Sequence, residues 1–132
     1  MSILWSFRCY RSVDGTDEIR ALYDGGSGQL QARFLSRMRT LAQLAKTEWH
    51  ENLYKDLHGP CSGLGEIKFF ADNVQQRPLG FRSGNAEFII LFCAKEKGGK
   101  FVPLSACEKA IARKDEVLKD RSRTNALWLV LE

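Results

Sequence analysis

Two side chains of opposite charge stand two residues apart in a segment that alternates like a β-strand. Glu66 and Lys68 flank Ile67 in the run over residues 64–70. Because successive side chains of a strand point to opposite faces, Glu66 and Lys68 share one face and Ile67 takes the other. A carboxylate and an ammonium held together on the open face of a sheet can act as a proton-transfer pair. The alternative, from the residues alone, is a surface salt bridge that contributes little to stability.

Cations are concentrated in the segment that follows this pair. From Arg77 to Lys100 the sequence holds five basic side chains and two acidic ones. The whole chain has 20 Lys and Arg against 16 Asp and Glu, which gives a net charge of +4. An excess of this size permits binding of a polyanion such as RNA without requiring it. If the chain has a polyanion site, we expect it in this segment.

Other classes of site and location are disfavoured by composition. The four cysteines have no C-x-x-C spacing and are most simply buried thiols. His58-x-x-Cys61 has no second ligand pair, so we predict no metal and no cofactor. No apolar run reaches the ~18 residues of a membrane helix, and the first residues do not form a signal peptide. We therefore expect a cytoplasmic protein without a membrane partner.

The elements that must hold the charged residues follow from periodicity and turn residues. The apolar run over residues 3–10 predicts a strand, and a short helix is predicted over 17–23. From Ser27 onward, apolar residues recur at helical spacing, which predicts a second, longer helix and hence a helical hairpin. The stripe consists of Leu30, Phe34, Met38, Leu41 and Ala45.

The second half of the chain predicts three strands and a final helix. Strand-like runs cover residues 64–70, 76–82 and 87–93, with a hairpin turn at Ser83-Gly84-Asn85 between the last two. Ser105-x-x-Glu108 is typical of a capping box and predicts the start of a helix. The order of strand, two helices, three antiparallel strands and helix predicts an α+β sandwich.

This order, together with four short motifs, resembles the RelE/ParE toxin superfamily and particularly its HigB-like, phage-derived branch. Gly63-Leu64-Gly65-Glu66-Ile67-Lys68 is similar to the family's G-L-x-E-[IL]-[RK] strand, and Arg77-Pro78-Leu79-Gly80-Phe81-Arg82 to its R-x-x-[YG]-[FY] strand. Ala94-Lys95-Glu96-Lys97 resembles its basic strand end. Lys100-Phe101-Val102-Pro103 and Ala110-x-x-Arg113 resemble its K-x-P, A-x-x-R helix.

The resemblance implies a RelE-like α+β fold. It would comprise an N-terminal strand, a helical hairpin, a three- to four-stranded antiparallel sheet and a C-terminal helix. A single toxin domain would cover residues 1–120, and residues 121–132 would form a tail that can add a strand to a sheet edge.

The resemblance also implies a function, the toxin of a type II toxin–antitoxin system. Its partners would be a cognate antitoxin, expected to be a helix-turn-helix protein, and mRNA on the ribosome. The activity would be metal-independent endonucleolytic cleavage of mRNA. The alternatives are a ParE-like toxin that inhibits gyrase without cutting nucleic acid, and an inactive phage-derived relic that only binds its antitoxin. The sequence predicts no oligomeric state.

Residue roles carried over from the family fall into two groups. The catalytic group is predicted to be Arg77, Lys68, Glu66 and Lys95, with Arg77 directed at the scissile phosphate. The RNA-binding group is predicted to be Arg82, Lys97, Lys100, Phe101 and Arg113. Residues 64–120 contain neither Tyr nor His, a departure from the family, so Lys95 or Lys97 would have to act as the general acid.

Overall fold

The computed structural model describes residues 2–84 and 86–132. Met1 and Asn85, the last residue of the predicted hairpin turn, lie outside the described residues. The α-helices are α1 (Glu18–Asp24), α2 (Gly28–Ala42) and α3 (Ala106–Lys119). The strands are β1 (Ser6–Tyr10), β2 (Tyr54–Asp56), β3 (Gly65–Ile67), β4 (Phe69–Ala71), β5 (Val74–Ser83), β6 (Glu87–Lys97), β7 (Lys100–Val102) and β8 (Thr124–Ala126).

The eight strands form one mixed sheet in the order β2-β3-β5-β6-β1-β8, with β4 also pairing with β5 and β7 with β6. Strand β1 runs parallel to β6, and the other pairs are antiparallel. The predicted RelE-like layout with a three- to four-stranded antiparallel sheet is therefore wrong, because the sheet is larger and mixed. The chain still belongs to the α+β class. Strands β2, β3, β4, β7 and β8 have three residues each, too few on their own to produce a readable alternation. The single strand predicted over residues 64–70 is divided at Lys68 into β3 and β4.

Side-chain caps begin two of the three helices. Asp17 accepts a hydrogen bond from the backbone N–H of Arg20 at the start of α1, and Ser27 accepts one from that of Leu30 at the start of α2, both at 3.0 Å. Ser105 precedes α3 but makes no such bond, so the predicted capping box there is wrong. The start of α3 is held instead by the backbone N–H of Ala106, which donates to the Pro103 carbonyl at 3.0 Å.

The sheet has two covered faces, which we name after the helices on them. On the α1–α2 face, Phe34 of α2 contacts the ring of Phe69 with centroids 5.9 Å apart. On the α3 face, Lys109 lies over the ring of Phe92 and Lys114 lies over that of Phe81. Since both faces of the central strand are covered, residues 88–92 of β6 are all buried.

The register between β5 and β6 shifts by one residue at Leu79 and Gly80. Leu79 pairs with Phe92, whereas Gly80 pairs with Ile90, so Leu91 is left without a partner in β5. Such a shift exchanges the faces on which the following side chains lie. A Cβ atom at Gly80 would lie 2.2 Å from the carbonyl oxygen of Ile89. The close approach of the two strands at this shift therefore requires glycine.

A disulfide joins Cys61 to Cys107 in the first turn of α3, with the Cα atoms 5.2 Å apart. The expectation of four buried thiols is therefore wrong for this pair; Cys9 and Cys93 are free. The bond links residues 46 positions apart in sequence, where no spacing motif could indicate it. Disulfides persist mainly in oxidising compartments, so the cytoplasmic location stays a prediction.

The C-terminal segment lies against the N-terminal strand. Thr124–Ala126 form β8, which pairs antiparallel with β1 and is one edge of the sheet. Beyond it, Trp128 stacks on Phe34 with ring centroids 6.3 Å apart and so covers part of α2. None of the helices in the described part of the chain combines the length and apolarity needed to cross a membrane.

Replacing Gly80 with Ala should destabilise the fold by about 2–3 kcal/mol, because the new methyl group would overlap the backbone of β6. Urea unfolding followed by circular dichroism would measure the change. Gly28→Ala, in the first turn of α2, is the matched control, since its Cβ would have no neighbour within 4 Å. We expect the control to be neutral or slightly stabilising. Equal stability of the two variants would contradict the requirement for glycine at the register shift.

Candidate active site

The strand register places a row of four side chains on the α3 face. Phe70 pairs with Gln75, Gln75 with Glu96, and Glu96 with Phe101. Because directly paired residues project to the same side of a sheet, these side chains form one row across β4, β5, β6 and β7. Arg77 lies two residues along β5 from Gln75 and therefore shares this face. The row thus begins and ends with an aromatic ring and has polar groups between them.

The guanidinium of Arg77 lies at the centre of a charged cluster beside this row. Its Nη1 donates to the Gln76 carbonyl at 2.9 Å, and its Nη2 donates to Oε1 of Gln75 at 3.2 Å. Its Nε is 3.5 Å from Oε1 of Glu96 and 3.8 Å from Oε2 of Glu66. This Nε is buried and has no hydrogen-bond partner among the described residues. Arg77 therefore holds two carboxylates mainly by charge.

Lys68 completes what we call the Arg77 cluster, defined as Glu66, Lys68, Gln75, Arg77 and Glu96. The Nζ of Lys68 is 4.0 Å from Oε1 of Glu66. The predicted sharing of one face by Glu66 and Lys68 fits this contact. The side chain of Lys68 is 22% exposed, against 7% for Glu66 and 8% for Arg77. Of the two cations in the cluster, Lys68 is therefore the one more open to a ligand.

Burial raises the pKa of the Glu66 carboxyl above its ordinary value, and the nearby cations Arg77 and Lys68 only partly offset the effect. A carboxyl with a raised pKa that faces cations on a rigid sheet holds a proton more readily than an exposed one and can act as a proton acceptor and donor. Arg77 is buried, so its effect on Glu66 comes from its charge close to the carboxylate and not from contact with a ligand. Removing Arg77 would leave Glu66 and Glu96 close together without their shared cation, which is strongly destabilising when the groups are buried.

Three predicted site residues are placed elsewhere by the register. Lys95 pairs with Gln76, and Lys97 pairs with Lys100. Alternation puts Lys95 and Lys97 on the side of β6 opposite to Glu96. The structure therefore does not bring Lys95 to Glu66 and Arg77, and it does not place Lys97 or Lys100 in their row. Phe101, by contrast, lies beside Glu96 in the row.

The remaining two predicted RNA-binding residues lie outside the cluster. Arg82 is exposed near the far end of β5, five residues beyond Arg77, where it lines a shallow cavity with Lys114. Arg113 is partly buried and ties α3 to the rest of the fold. It donates to the Leu91 carbonyl at 2.9 Å and to Oε2 of Glu18 at 2.6 Å, and its guanidinium lies over the ring of Tyr10. All of these contacts hold α3 against the sheet and α1, so Arg113 has a structural role in the fold.

Sequence reasoning missed Glu96, Gln75 and Phe70 as members of the site. The alternation of β5 and β6 could have revealed them only with the correct register. Counting back from the predicted turn without the shift at Gly80 pairs Gln75 with Lys95 and so puts Lys95 on the face of Arg77. The shift replaces Lys95 by Glu96 on that face, which changes a cation for a carboxylate in the site.

The described residues contain no group of three or more His, Cys, Asp or Glu side chains placed to hold a metal ion. Glu66 instead contacts both cations of the cluster, and Glu96 contacts Arg77. The ionised groups of the cluster sum to zero charge, with two carboxylates against two cations, and protonation of Glu66 leaves one net positive charge beside the exposed row.

No family model, no curated protein and no solved structure matches the chain.

Replacing Glu66 with Gln should change how stability depends on pH. Since the folded pKa of Glu66 is raised above 4.5, its ionisation destabilises the fold as pH rises from about 4.5 through the raised value, and this loss is absent below that window. The difference in free energy of unfolding, Glu66→Gln minus the unaltered protein, should therefore increase with pH across the window and then level off. Denaturant unfolding at a series of pH values measures it.

Glu51→Gln is the control for this measurement, because Glu51 is exposed and lies outside the Arg77 cluster. Its difference curve should stay flat. A flat curve for Glu66→Gln as well, or one that decreases with pH, would show that burial does not dominate the Glu66 environment.

Proposed function

We propose that the protein is an endoribonuclease toxin of the type II toxin–antitoxin kind, which cuts mRNA on the ribosome at the Arg77 cluster. The observation that carries the proposal is the placement of the buried Glu66 carboxyl, with its raised pKa, beside Arg77 and the more exposed Lys68 on one face of the sheet. Such a toxin would act in the cytoplasm and be neutralised by a cognate antitoxin. The resemblance to the RelE/ParE superfamily supplies the toxin context.

The chemistry that suits this cluster is transesterification by the RNA's own 2′-hydroxyl. The Glu66 carboxylate accepts the 2′-hydroxyl proton, and the 2′-oxygen forms a bond to the adjacent phosphorus. The bond from phosphorus to the 5′-oxygen breaks, and that oxygen takes a proton from the Lys68 ammonium. The products are a 2′,3′-cyclic phosphate and a 5′-hydroxyl. The 4.0 Å between Glu66 and Lys68 lets the proton return from the acid to the amine.

The two cations have different tasks in this mechanism. Lys68 is the more exposed and meets the phosphate, where it offsets the charge that develops on the pentavalent phosphorus centre. Arg77 is a positioning residue that attracts both Glu66 and Glu96 and so fixes their positions on the sheet. The proton-transfer role first given to Lys95 or Lys97 passes to Lys68, because it shares a face with Glu66.

Base stacking is a task for the aromatic residues that end the row. Phe70 is 44% exposed and Phe101 is partly exposed. Unpaired bases of single-stranded RNA stack on aromatic side chains of open sheet faces. Two rings on either side of Gln75 and Glu96 can hold the nucleotides that flank a scissile phosphate.

Brief expression of the protein in bacteria should produce cuts within translated mRNA, and the same mRNA without its start codon should stay intact. Glu66→Gln should reduce the cutting rate by about 100-fold or more, the usual contribution of a general base. Lys68→Met should also reduce it by about 100-fold or more, because it removes both the general acid and the charge at the phosphate. Primer extension on the induced mRNA measures both.

Lys119→Met is the matched control, because it removes one exposed lysine from the end of α3, far along the chain from the cluster. It should cut like the unaltered protein. Growth arrest with intact mRNA would contradict mRNA cleavage and indicate a protein target such as gyrase. Intact mRNA in cells that grow normally would contradict a toxin function altogether.

Cleavage should also depend on the 2′-hydroxyl at the cut position and on no metal ion in the chemical step. A ribosome-bound mRNA with one 2′-deoxynucleotide 5′ to the scissile phosphate should resist cutting at that position alone. The downstream fragment should carry a 5′-hydroxyl that polynucleotide kinase labels without prior phosphatase treatment. Cleavage of the deoxy substrate, or a 5′-phosphate on the fragment, would contradict the mechanism.

A further inference from the structure

Away from the Arg77 cluster, a cavity of about 370 Å³ lies between the helical hairpin and the α1–α2 face of the sheet. This volume falls within the ~300–1,000 Å³ of ordinary small-molecule sites. Its walls are mainly apolar and come from α1, α2, β4, β5 and β6. They include Ile19 of α1, Leu30 and Phe34 of α2, and Val74 and Pro78 of β5.

The mouth of the cavity is held in place by hydrogen bonds between two turns. The hydroxyl of Ser27, between α1 and α2, lies 2.7 and 2.8 Å from the two carboxylate oxygens of Asp72, between β4 and β5. The backbone N–H of Asp72 donates to Oε1 of Gln29 at 2.6 Å. These hydrogen bonds fix the two turns at the opening of the cavity. The Asp72 carboxylate there already accepts a hydrogen bond from the Ser27 hydroxyl.

Lys95 places a positive charge at the same cavity as the Asp72 carboxylate. It is the partner of Gln76 in the strand register, and both line the cavity. Within the described residues, the Nζ of Lys95 makes no salt bridge and no hydrogen bond, and its side chain is exposed. An ammonium without an anionic partner, beside an apolar cavity, has the chemistry to bind a carboxylate whose body is apolar.

We propose that this cavity binds a small monocarboxylate with an aliphatic or aromatic body, with the carboxylate at Lys95 and the apolar part between Phe34 and Val74. The site is separate from the Arg77 cluster, since Lys95 and Glu96 lie on opposite faces of β6. The amide of Gln76, whose Nε2 donates to the Ala71 carbonyl at 3.3 Å, lies beside the carboxylate position. Recognition thus combines one charge with apolar burial.

Octanoate, 1-octanol and octylammonium are the probes for this proposal, because they share a chain and differ in charge. Titrations below micelle-forming concentrations, followed by ¹H–¹⁵N correlation spectra, give affinities and locate the site. Octanoate should bind saturably, shift the amides of Leu30, Phe34, Val74 and Lys95, and bind more tightly than the other two. Lys95→Met should weaken octanoate about tenfold, the value of one charge-assisted contact, and leave 1-octanol unchanged.

Lys119→Met is again the control for loss of charge, and it should leave octanoate affinity unchanged. Val74→Trp should fill the cavity and abolish binding of all three probes; Leu22→Trp at the rim serves the same purpose if the first variant does not fold. The proposal is overturned by unsaturable binding, by octylammonium binding as tightly as octanoate, by an unchanged affinity in Lys95→Met, or by shifts confined to residues outside the cavity.

Discussion

The register shift between β5 and β6 is the constraint on which the rest of the molecule depends. Two residues of β6 advance where β5 advances by one, and Leu91 is the extra residue. The absence of a side chain at Gly80 lets the backbones approach there. The carbonyl of Leu91 accepts its hydrogen bond from Arg113 of α3. Cys107, in the first turn of the same helix, forms the disulfide to Cys61, so the position of α3 is set at two points.

This shift decides on which face of the sheet the polar side chains of β5 and β6 beyond Gly80 and Leu91 meet. Gln75 and Glu96 join Arg77 on the α3 face, and Gln76 and Lys95 go to the α1–α2 face. Without the shift, Lys95 would stand beside Arg77, Glu96 would face the cavity, and the charges of the two sites would be exchanged. A single extra residue therefore decides that one face has a carboxylate-rich cluster and the other has an unpaired lysine.

How well the sequence predicts an element depends on how many of its residues repeat one local pattern. Long elements with strong periodicity, such as α2 and the apolar part of β6, are readable because many residues repeat one pattern. The contact of Glu66 with Lys68 needed only the alternation of side chains along the chain, which continues from β3 into Lys68. Lys95 was misplaced because its face depends on a shift that has no signal except Gly80, and a glycine in a strand has several explanations. The three-residue strands β2 and β7 and the disulfide depend on tertiary contacts alone.

The charge balance of the Arg77 cluster sets opposing requirements for a reaction with RNA. A bound phosphate favours the cluster in which Glu66 is protonated, because one positive charge then remains. A general base requires the ionised form, in which the charges cancel. Burial brings the two forms closer in free energy by raising the Glu66 pKa, and the exposed Lys68 keeps a cation at the surface in either state. Because Arg77 is itself buried between Glu66 and Glu96, the sheet fixes the spacing of the acids before any substrate arrives. Preorganisation of this kind favours reaction over binding alone, since the cost of holding like charges together is met during folding.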